Sequence, residues 1–350
     1  MDRKLVTIRQ IKDILPIEGA DVIEIVRLDG WQCVSKKGEF KKGDLCVYFE
    51  IDSFLPIDER YEFLRKSSFR KMFTGQEGFR IKTVRLRGQL SQGMALPLSN
   101  FPELHESPSI GDDVTELLKV IKFEKPIPAC LSGKVKGFLP SIIPKTDAER
   151  IQNTPEYFEK YKDVIFQGTL KLEGSSMTVY NDGGNKGVCS RNLDLEETEE
   201  NTHWQVARKF HLLDILPEGY AVQGELMGPG IEGNIEKLKS HFMFQFNVYD
   251  IRNRKYLSPK DRDQFFKDMC ERFSQIVGPD YKGDFPVKAP IVGEIRLGDY
   301  TMQSLIDLSD GPSIHNSKRE GIVYTSMEPI DGQHIIFKVI SNKYLLGEKE

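Results

Sequence analysis

The sequence has little of what marks secreted, membrane-spanning or zinc-binding proteins. Its five cysteines are scattered, odd in number and without a Cys-x-x-Cys pair, which argues against a disulfide framework or a zinc site. The six histidines show no ligand spacing either. No apolar run approaches the roughly 18 residues that a membrane span needs, and charges follow Met1 too soon for a secretion signal. We therefore expect a cytoplasmic protein, or a nuclear one if the source has a nucleus, without a membrane partner.

Neither sign of charge dominates the chain, whose formal net charge is -4. The distribution is uneven, however. Residues 60–87 contain nine Lys or Arg and two acids, a net charge of +7, so the rest of the chain sums to -11. A basic island on an acidic protein is typical of a surface that binds a phosphate backbone. From charge alone, a solvated basic face explains the window equally well.

At 350 residues, two domains are the default expectation. Residues 1–120 contain several short strand patterns separated by turns, including a hairpin at Asp29-Gly30. Alternation from Phe79 to Arg87 slips phase at Thr83-Val84, which predicts a β-bulge within one strand. These patterns predict a small β-barrel.

Prolines and glycines in residues 121–144 predict a linker, and residues 145–350 form the second predicted domain. There we expect helices near residues 146–160, 201–213 and 258–276, with strands carrying the remaining motifs. The acidic residues 194–200 are expected to begin the helix at 201, because acids favour a helix N-terminus.

The second predicted domain carries an ordered series of polar motifs, mostly on strand-like segments. The series reads Lys171-Leu172-Glu173-Gly174, Ser190-Arg191-Asn192, Glu225-Leu226-Met227-Gly228, Phe246 to Asp250, Glu320-Gly321-Ile322-Val323 and Phe337-Lys338-Val339-Ile340. Any single motif is weak evidence, since a lysine at a turn is usually solvated and a strand phenylalanine is more often core. Glu225 and Glu320 are harder to dismiss, because each lies among apolar residues and a buried carboxylate needs a partner.

As a set, these motifs resemble those of the covalent nucleotidyltransferases, which include polynucleotide ligases and mRNA capping enzymes. The series is most similar to ATP-dependent RNA ligases of the Deinococcus-type family, which place an OB module before the adenylyltransferase domain. Residues 9–50 also resemble the OB-fold tRNA-binding domains of aminoacyl-tRNA synthetases. The resemblance implies an α+β protein with an N-terminal OB-like β-barrel followed by an antiparallel-sheet adenylyltransferase (ATP-grasp-like ligase) domain.

The resemblance also implies site residues. Lys171 would be the nucleophile that attacks ATP, so its pKa must fall from about 10.4 toward neutrality. Lys338 would be a second catalytic cation. The residues expected to bind ATP are Arg150, Lys171, Glu173, Arg191, Glu225, Phe246, Glu320, Lys338 and Lys343, with Glu173, Glu225 and Glu320 also holding Mg2+ or Mn2+. Many ligases carry Lys-x-Lys at the last motif, whereas this chain has Ile340 at the second position, and Lys343 is the expected substitute.

The expected function is ATP-dependent RNA ligation of 3'-hydroxyl and 5'-phosphate ends, acting on RNA or an RNA-containing duplex, by a monomer. Four basic residues are expected to contact the nucleic acid: Arg80, Lys82, Arg85 and Arg87. Two alternatives are a non-catalytic OB-type RNA-binding protein and an mRNA capping guanylyltransferase. Twelve residues follow Lys338 in this sequence, so we expect no barrel after the last motif, as capping enzymes and DNA ligases have.

Overall fold

The computed structural model describes residues 3–72, 74–104, 107–124, 131 and 133–347, and the chain divides into two compact units at Pro126 and Ile127. The first unit contains β1 Val6–Gln10, β2 Asp13–Pro16, β3 Ile23–Leu28, β4 Trp31–Lys36, β5 Leu45–Phe49, β6 Ser53–Leu55, α1 Arg65–Ser68, β7 Phe69–Lys71, β8 Glu77–Arg80, β9 Val84–Leu86, β10 Gln89–Ser91, β11 Met94–Pro97 and β12 Ile121–Lys122. Its strand pairs are antiparallel, in the orders β1-β5-β11, β2-β3-β4, β12-β6-β8-β7 and β10-β9.

The predicted hairpin is confirmed, since β3 and β4 pair across Asp29, which adopts a φ of 50°. The predicted bulge near Thr83 is wrong. β8 ends at Arg80 and β9 begins at Val84, and the two strands belong to different sheets. The phase slip in the sequence therefore marks a break between strands. β9 and β10 form an exposed hairpin that turns at Arg87 and Gly88, both with positive φ.

The second unit contains β13 Val135–Phe138, β14 Glu149–Arg150, α2 Tyr157–Lys160, β15 Ile165–Lys171, β16 Ser175–Asn181, β17 Lys186–Cys189, β18 Leu193–Leu195, α3 Thr202–Lys209, α4 Leu212–Ile215, β19 Tyr220–Met227, β20 Phe242–Asp250, β21 Lys255–Tyr256, α5 Pro259–Val277, β22 Val287–Lys288, β23 Ile291–Arg296, α6 Met302–Ser309, β24 Gly321–Ser326, β25 Ile336–Ile340 and α7 Asn342–Gly347.

Two mainly antiparallel sheets organise the described part of this unit. The larger has the order β13-β18-β17-β16-β19-β20-β21, with β22 also beside β20, and the smaller has the order β14-β25-β24-β15-β23. Helices α3, α4 and α5 pack on one face of the larger sheet, in a core that includes Met177, Val222 and Phe273. The opposite face carries Ala221, Gln223 and Glu225 on alternate positions of β19, of which only Glu225 is partly exposed.

The helices near 201–213 and 258–276 are confirmed as α3 with α4 and as α5. The helical stretch expected at 146–160, in one piece or in two divided at Pro155, is wrong for most of its length: that segment holds β14, a 3-10 turn and only the four-residue α2. The acidic run does not begin α3 either. Asp194 is buried in β18, and the side chain of Asn201 caps the helix by accepting a hydrogen bond from the Trp204 amide.

The interval expected as a linker, residues 121–144, contains β12 of the first unit and β13 of the second. Residues 125–130 and 132 of that interval lie outside the described residues. Across the described part of the chain, no helix is both long enough and apolar enough to cross a membrane.

Candidate active site

Lys171 and Glu320, 149 residues apart in sequence, are in contact. Lys171 is the last residue of β15, and Glu320 immediately precedes β24, the strand that pairs with it. The Lys171 Nζ donates a hydrogen bond to Glu320 Oε1 at 2.5 Å, and the two side chains are 27% and 15% exposed. Two neighbouring strand ends thus bring a candidate nucleophile and a carboxylate together in a largely desolvated position.

The charge on Lys171 is stabilised in this arrangement. Burial alone would lower the pKa of Lys171, but the carboxylates of Glu320 and Glu225 more than offset it and raise the pKa above its ordinary value. The sequence argument required the opposite direction for an attacking amine. The resting lysine is therefore an ammonium, and the reactive form requires that the field of these carboxylates be neutralised.

Glu225 is the second carboxylate near Lys171. It lies on β19 opposite Ser176 and Phe244, on the sheet face away from the helices. Burial raises the pKa of Glu225 to about 8, and Glu320 adds to the rise, while Lys171 and Arg191 oppose it. The larger sheet thus places the carboxyl group of Glu225 near Lys171 and Glu320, which the smaller sheet brings together.

Close backbone packing accounts for the glycines, Gly174 and Gly321, in the two motifs that contain Lys171 and Glu320. A Cβ at Gly174 would collide with the Leu226 carbonyl oxygen and lie 3.0 Å from Glu225 Cγ. A Cβ at Gly321 would likewise collide with the Val339 carbonyl oxygen. Only a residue without a side chain lets the turn after Lys171 approach the strand of Glu225 this closely.

Lys338 and Arg150 extend the site along the smaller sheet. β14 pairs in parallel with β25, which places Arg150 opposite Lys338, and Lys338 is opposite Val323 on its other side. Val323 is in turn opposite Thr169, two residues before Lys171. Directly opposed residues share a face. Lys171, Lys338 and Arg150 therefore lie on one face of the sheet.

Phe246 lies at an irregularity of β20. Gln223 is opposite Asn247 and Gly224 is opposite Gln245, so Phe246 is the extra residue of a β-bulge. Its half-buried ring packs in an apolar cluster that includes Leu172 and Met227. Bulges redirect side chains, often beside active sites. This one directs Phe246 to the apolar cluster beside the candidate nucleophile.

Arg191 and Glu173 occupy the margin of this group. Arg191 Nη2 donates to both carboxylate oxygens of Asp147, at 2.6 and 2.8 Å, and Glu173 is half-buried beside Lys171. Among the described residues, no three His, Cys, Asp or Glu side chains form a cluster that could hold a metal ion. The metal set of Glu173, Glu225 and Glu320 stays a prediction.

Lys343 has a different environment. It lies on α7, is 67% exposed, and has its Nζ 3.3 Å from Asp310 Oδ2. A hydrogen bond between Ser341 Oγ and Asp310 Oδ1 holds the same carboxylate. The local structure therefore directs Lys343 to Asp310.

The four basic residues predicted to bind nucleic acid divide into two groups. Arg80 is 7% exposed, donates to Asp52 Oδ1 at 2.8 Å and lies over the Phe123 ring, so it has a structural role; Lys82 is half-buried. Arg85 and Arg87 are exposed on the β9–β10 hairpin.

Sequence reasoning missed Arg319, which positions the segment before Glu320. This buried arginine donates from Nε to the Ser309 carbonyl at 2.9 Å and from Nη2 to the Leu308 carbonyl at 2.6 Å. It thereby caps the C-terminal end of α6, where carbonyl groups lack helical partners. The available signal was an arginine directly before Glu-Gly, but its partners are not visible in the sequence.

The chain is similar to known proteins along most of its length. An RNA ligase family matches residues 164–340, and an OB-fold domain matches residues 5–98. A lysine-to-alanine mutant of Naegleria gruberi RNA ligase with ATP and Mn has a TM-score of 0.89 at 44% identity, covering 98% of each chain. A glutamate-to-alanine mutant of that ligase, also with ATP and Mn, has a TM-score of 0.90 at 44% identity, covering 99% of this chain and 100% of the other. No curated protein sequence matches the chain.

These matches define an N-terminal OB-fold domain followed by an antiparallel-sheet ligase domain, as the sequence predicted. The chain belongs to the RNA ligase family. It is an enzyme of the covalent nucleotidyltransferase type, and the alternative of a non-catalytic RNA-binding protein is not supported.

Proposed function

We propose that the protein is an ATP-dependent RNA ligase that joins 3'-hydroxyl and 5'-phosphate ends through an AMP bound covalently to Lys171. The contact between Lys171 and Glu320 at the ends of two paired strands is the observation that carries this proposal. The similar Naegleria gruberi ligase structures, which contain ATP and Mn, AMP and Mn, or PPi, support the choice of nucleotide and metal.

The proposed ligation reaction has three steps. Lys171 Nζ, after losing its proton, attacks the α-phosphorus of ATP, and pyrophosphate leaves as the phosphoramidate forms. An oxygen of the 5'-phosphate RNA end then attacks the same phosphorus, which frees Lys171 and gives an RNA-adenylate. Finally the 3'-hydroxyl attacks the 5'-phosphate phosphorus, the phosphodiester forms, and AMP leaves. Before the Lys171 proton is lost, Glu320 Oε1 accepts a hydrogen bond from the Lys171 ammonium.

The charged residues divide the work of binding and stabilisation. Lys338 and Arg150, which are side by side on one sheet face, would bind the phosphates and stabilise charge that develops on their oxygens. Arg191 would leave Asp147 to bind a phosphate or a ribose hydroxyl. Phe246 would stack on the adenine.

The carboxylates fit a hard divalent cation. Glu225 and Glu320 both act on Lys171 electrostatically, and Glu173 lies two residues beyond it. Such sites for Mg2+ commonly use one or two carboxylates together with substrate phosphates. When bound, Mg2+ or Mn2+ would supply positive charge to the phosphate oxygens and offset the carboxylates that raise the pKa of Lys171.

The first experiment measures transfer of radioactive AMP from ATP to the protein. Lys171→Ala should abolish labelling, while Lys162→Ala, a matched change at an exposed lysine on the approach to β15, should leave it unchanged. Labelling by GTP in place of ATP would favour a capping guanylyltransferase. A Lys171→Ala protein that still becomes labelled would disprove the proposal.

We also propose that Arg85 and Arg87 on the exposed hairpin bind the nucleic acid. Replacing both arginines by glutamate should weaken RNA binding. Binding should also depend less on salt concentration, because fewer counterions are released, and self-adenylylation should not be reduced. Reversal of Lys36 and Lys37, which are exposed at the end of β4, makes the same change in charge and should leave RNA binding unchanged. Equal loss of binding and self-adenylylation would count against a separate binding role for the hairpin.

The substrate is best tested with 5'-phosphate nicks in duplexes whose 3'-hydroxyl strand ends in ribose or deoxyribose. Sealing only with ribose would establish an RNA-specific nick ligase. Sealing of both substrates would establish a general polynucleotide ligase.

We further propose that the protein belongs to the Deinococcus-type group, which the N-terminal OB fold supports. We also propose a monomeric state and a cytoplasmic or nuclear location, the latter supported by the scattered free thiols.

A further inference from the structure

An exposed aromatic side chain lies outside the group around Lys171. Phe138, the last residue of β13, is 84% exposed. Isolated exposed apolar side chains are ordinary. Phe138, however, helps to form a concave surface that encloses a volume of about 410 Å³. The other residues that line it are Leu139, Pro140, Ser141, Ile143, Lys145 and Asn192. We call this the Phe138 surface.

The Phe138 surface has a fixed backbone. Phe138 pairs with Leu193, the first residue of β18. The backbone amide of Leu139 donates a hydrogen bond to the Asn192 carbonyl oxygen at 2.9 Å. Below it, Leu139 and Ile143 pack in an apolar cluster with Tyr180 and Ala221 on the larger sheet. The aromatic ring is therefore presented to solvent by a well-packed support.

The Phe138 surface continues into the candidate active site. Gln223 Nε2 donates to the carbonyl of Pro144 at 2.8 Å. Gln223 lies two residues before Glu225 on the same face of β19. On the other side, Asn192 directly follows Arg191, whose charge opposes the rise in the pKa of Glu225. A ligand on this surface would therefore adjoin the Lys171 group.

The charge of this segment selects the kind of ligand. Residues 131–145 contain three lysines and no acid, and Lys134, Lys136 and Lys145 are all exposed. Lys136 lies 3.8 Å from Asp194, whereas Lys145 lines the concave surface itself. An aromatic face next to cations matches an unstacked nucleotide, which offers a flat base and an anionic phosphate.

We propose that the Phe138 surface binds a nucleotide of the RNA being joined, with its base stacked on Phe138 and its phosphate at Lys145. The proposal rests on the RNA ligase function proposed above. It assigns Phe138 and Lys145 to the RNA strand, distinct from the residues that take ATP.

The test compares RNA binding and sealing with self-adenylylation in the full chain. Phe138→Ala should weaken binding of a 5'-phosphate RNA oligonucleotide by about 5- to 150-fold, the range for loss of one stacked base. Phe138→Tyr should restore binding and Phe138→Leu should not, because leucine keeps apolar area without a ring. Self-adenylylation, which needs no RNA, should persist in all three proteins.

Two further variants sharpen the result. Lys145→Ala should reduce the slope of log binding constant against log salt by about 0.7, the loss of one phosphate contact on a single strand. Ile276→Ala removes an exposed apolar side chain from α5, on the opposite face of the larger sheet, and should change nothing.

Each outcome has a distinct meaning. Unchanged RNA binding in Phe138→Ala and Lys145→Ala would overturn the inference while leaving the ligase proposal intact. Full rescue by Phe138→Leu would also overturn it, because stacking would not be involved. A change in hydrodynamic size with unchanged RNA affinity would assign the surface to a protein contact instead. Failure of the unaltered chain to label with ATP would concern only the proposed function.

Discussion

We predict that the buried His203 makes the stability of the ligase unit depend on pH. This residue of α3 is 1% exposed, and its Nε2 is 3.3 Å from the carbonyl oxygen of Ser176, the residue opposite Glu225. Its buried Nδ1 has no hydrogen-bond partner among the residues that the structure describes. Protonation would place a charge and an unsatisfied N–H in that position, so burial lowers the pKa of His203 from 6.5 to about 4.

The magnitude follows from linkage. A folded pKa below the unfolded value means that the unfolded chain binds the proton first, so this stability is complete above pH 6.5 and is lost as the pH falls toward 4. At about 1.4 kcal/mol per pKa unit, the loss is about 2 kcal/mol at pH 5 and approaches about 3 kcal/mol near pH 4. His203→Gln, which retains a donor for the Ser176 carbonyl, should remove this component.

The assay is urea unfolding followed by tryptophan fluorescence. The chain has two tryptophans: Trp31 lies in the first unit, while Trp204 is adjacent to His203. In a Trp31→Phe background, the signal reports the ligase unit alone. When the pH is lowered from about 8 to about 5, the free energy of unfolding should fall in the protein that retains His203. The fall should be about 2 kcal/mol larger than in the His203→Gln variant. Identical pH profiles in the two proteins would refute the reasoning.

Three further predictions concern the site. Phe246→Ala should raise the KM for ATP in self-adenylylation by about 5- to 150-fold through loss of base stacking, and Phe246→Tyr should restore it; an unchanged KM would remove Phe246 from the nucleotide site. Gly174→Ala should strongly reduce AMP labelling, because the added Cβ displaces the strand of Glu225, whereas Gly332→Ala, at an open turn with positive φ, should cost only stability. Lys343→Ala should change labelling less than threefold, because Asp310 already holds this exposed side chain; a loss as large as that of Lys338→Ala would contradict this.

The regular elements with strong local signals were predictable from sequence. The Asp29-Gly30 turn specifies a hairpin on its own, and α5 combines an N-cap at Ser258 with a proline at its first position. The predictions failed where tertiary pairing decides. β14 has only two residues and no local pattern, and it is a strand because it pairs with β25. Phase slips were equally ambiguous: the one near Thr83 separates two strands, whereas the true bulge at Phe246 left no break in the hydrophobic pattern.

Motif order predicted residues for the candidate site but could not give their protonation. The contact of Lys171 with Glu320 depends on the register of β15 with β24, which the motif spacing does not contain. The close approaches of Gly174 to Leu226 and of Gly321 to Val339 likewise depend on strand pairing, with β19 and with β25. Arg319 and His203 were not predictable, because their roles depend on carbonyl groups of α6 and β16 that only the fold brings near.

The raised pKa of Lys171 has a consequence for the proposed mechanism. The carboxyl groups of Glu320 and Glu225 favour the ammonium form of Lys171, and carboxylate oxygens are also the ligand type for a divalent cation that ATP would bring with its phosphates. Binding of the metal and nucleotide would therefore remove the stabilisation of the ammonium at the moment when the α-phosphorus arrives. Without them, Lys171 stays charged and is a poor nucleophile toward other electrophiles. A single pair of carboxylates would in this way couple recognition of ATP to activation of the lysine that it modifies.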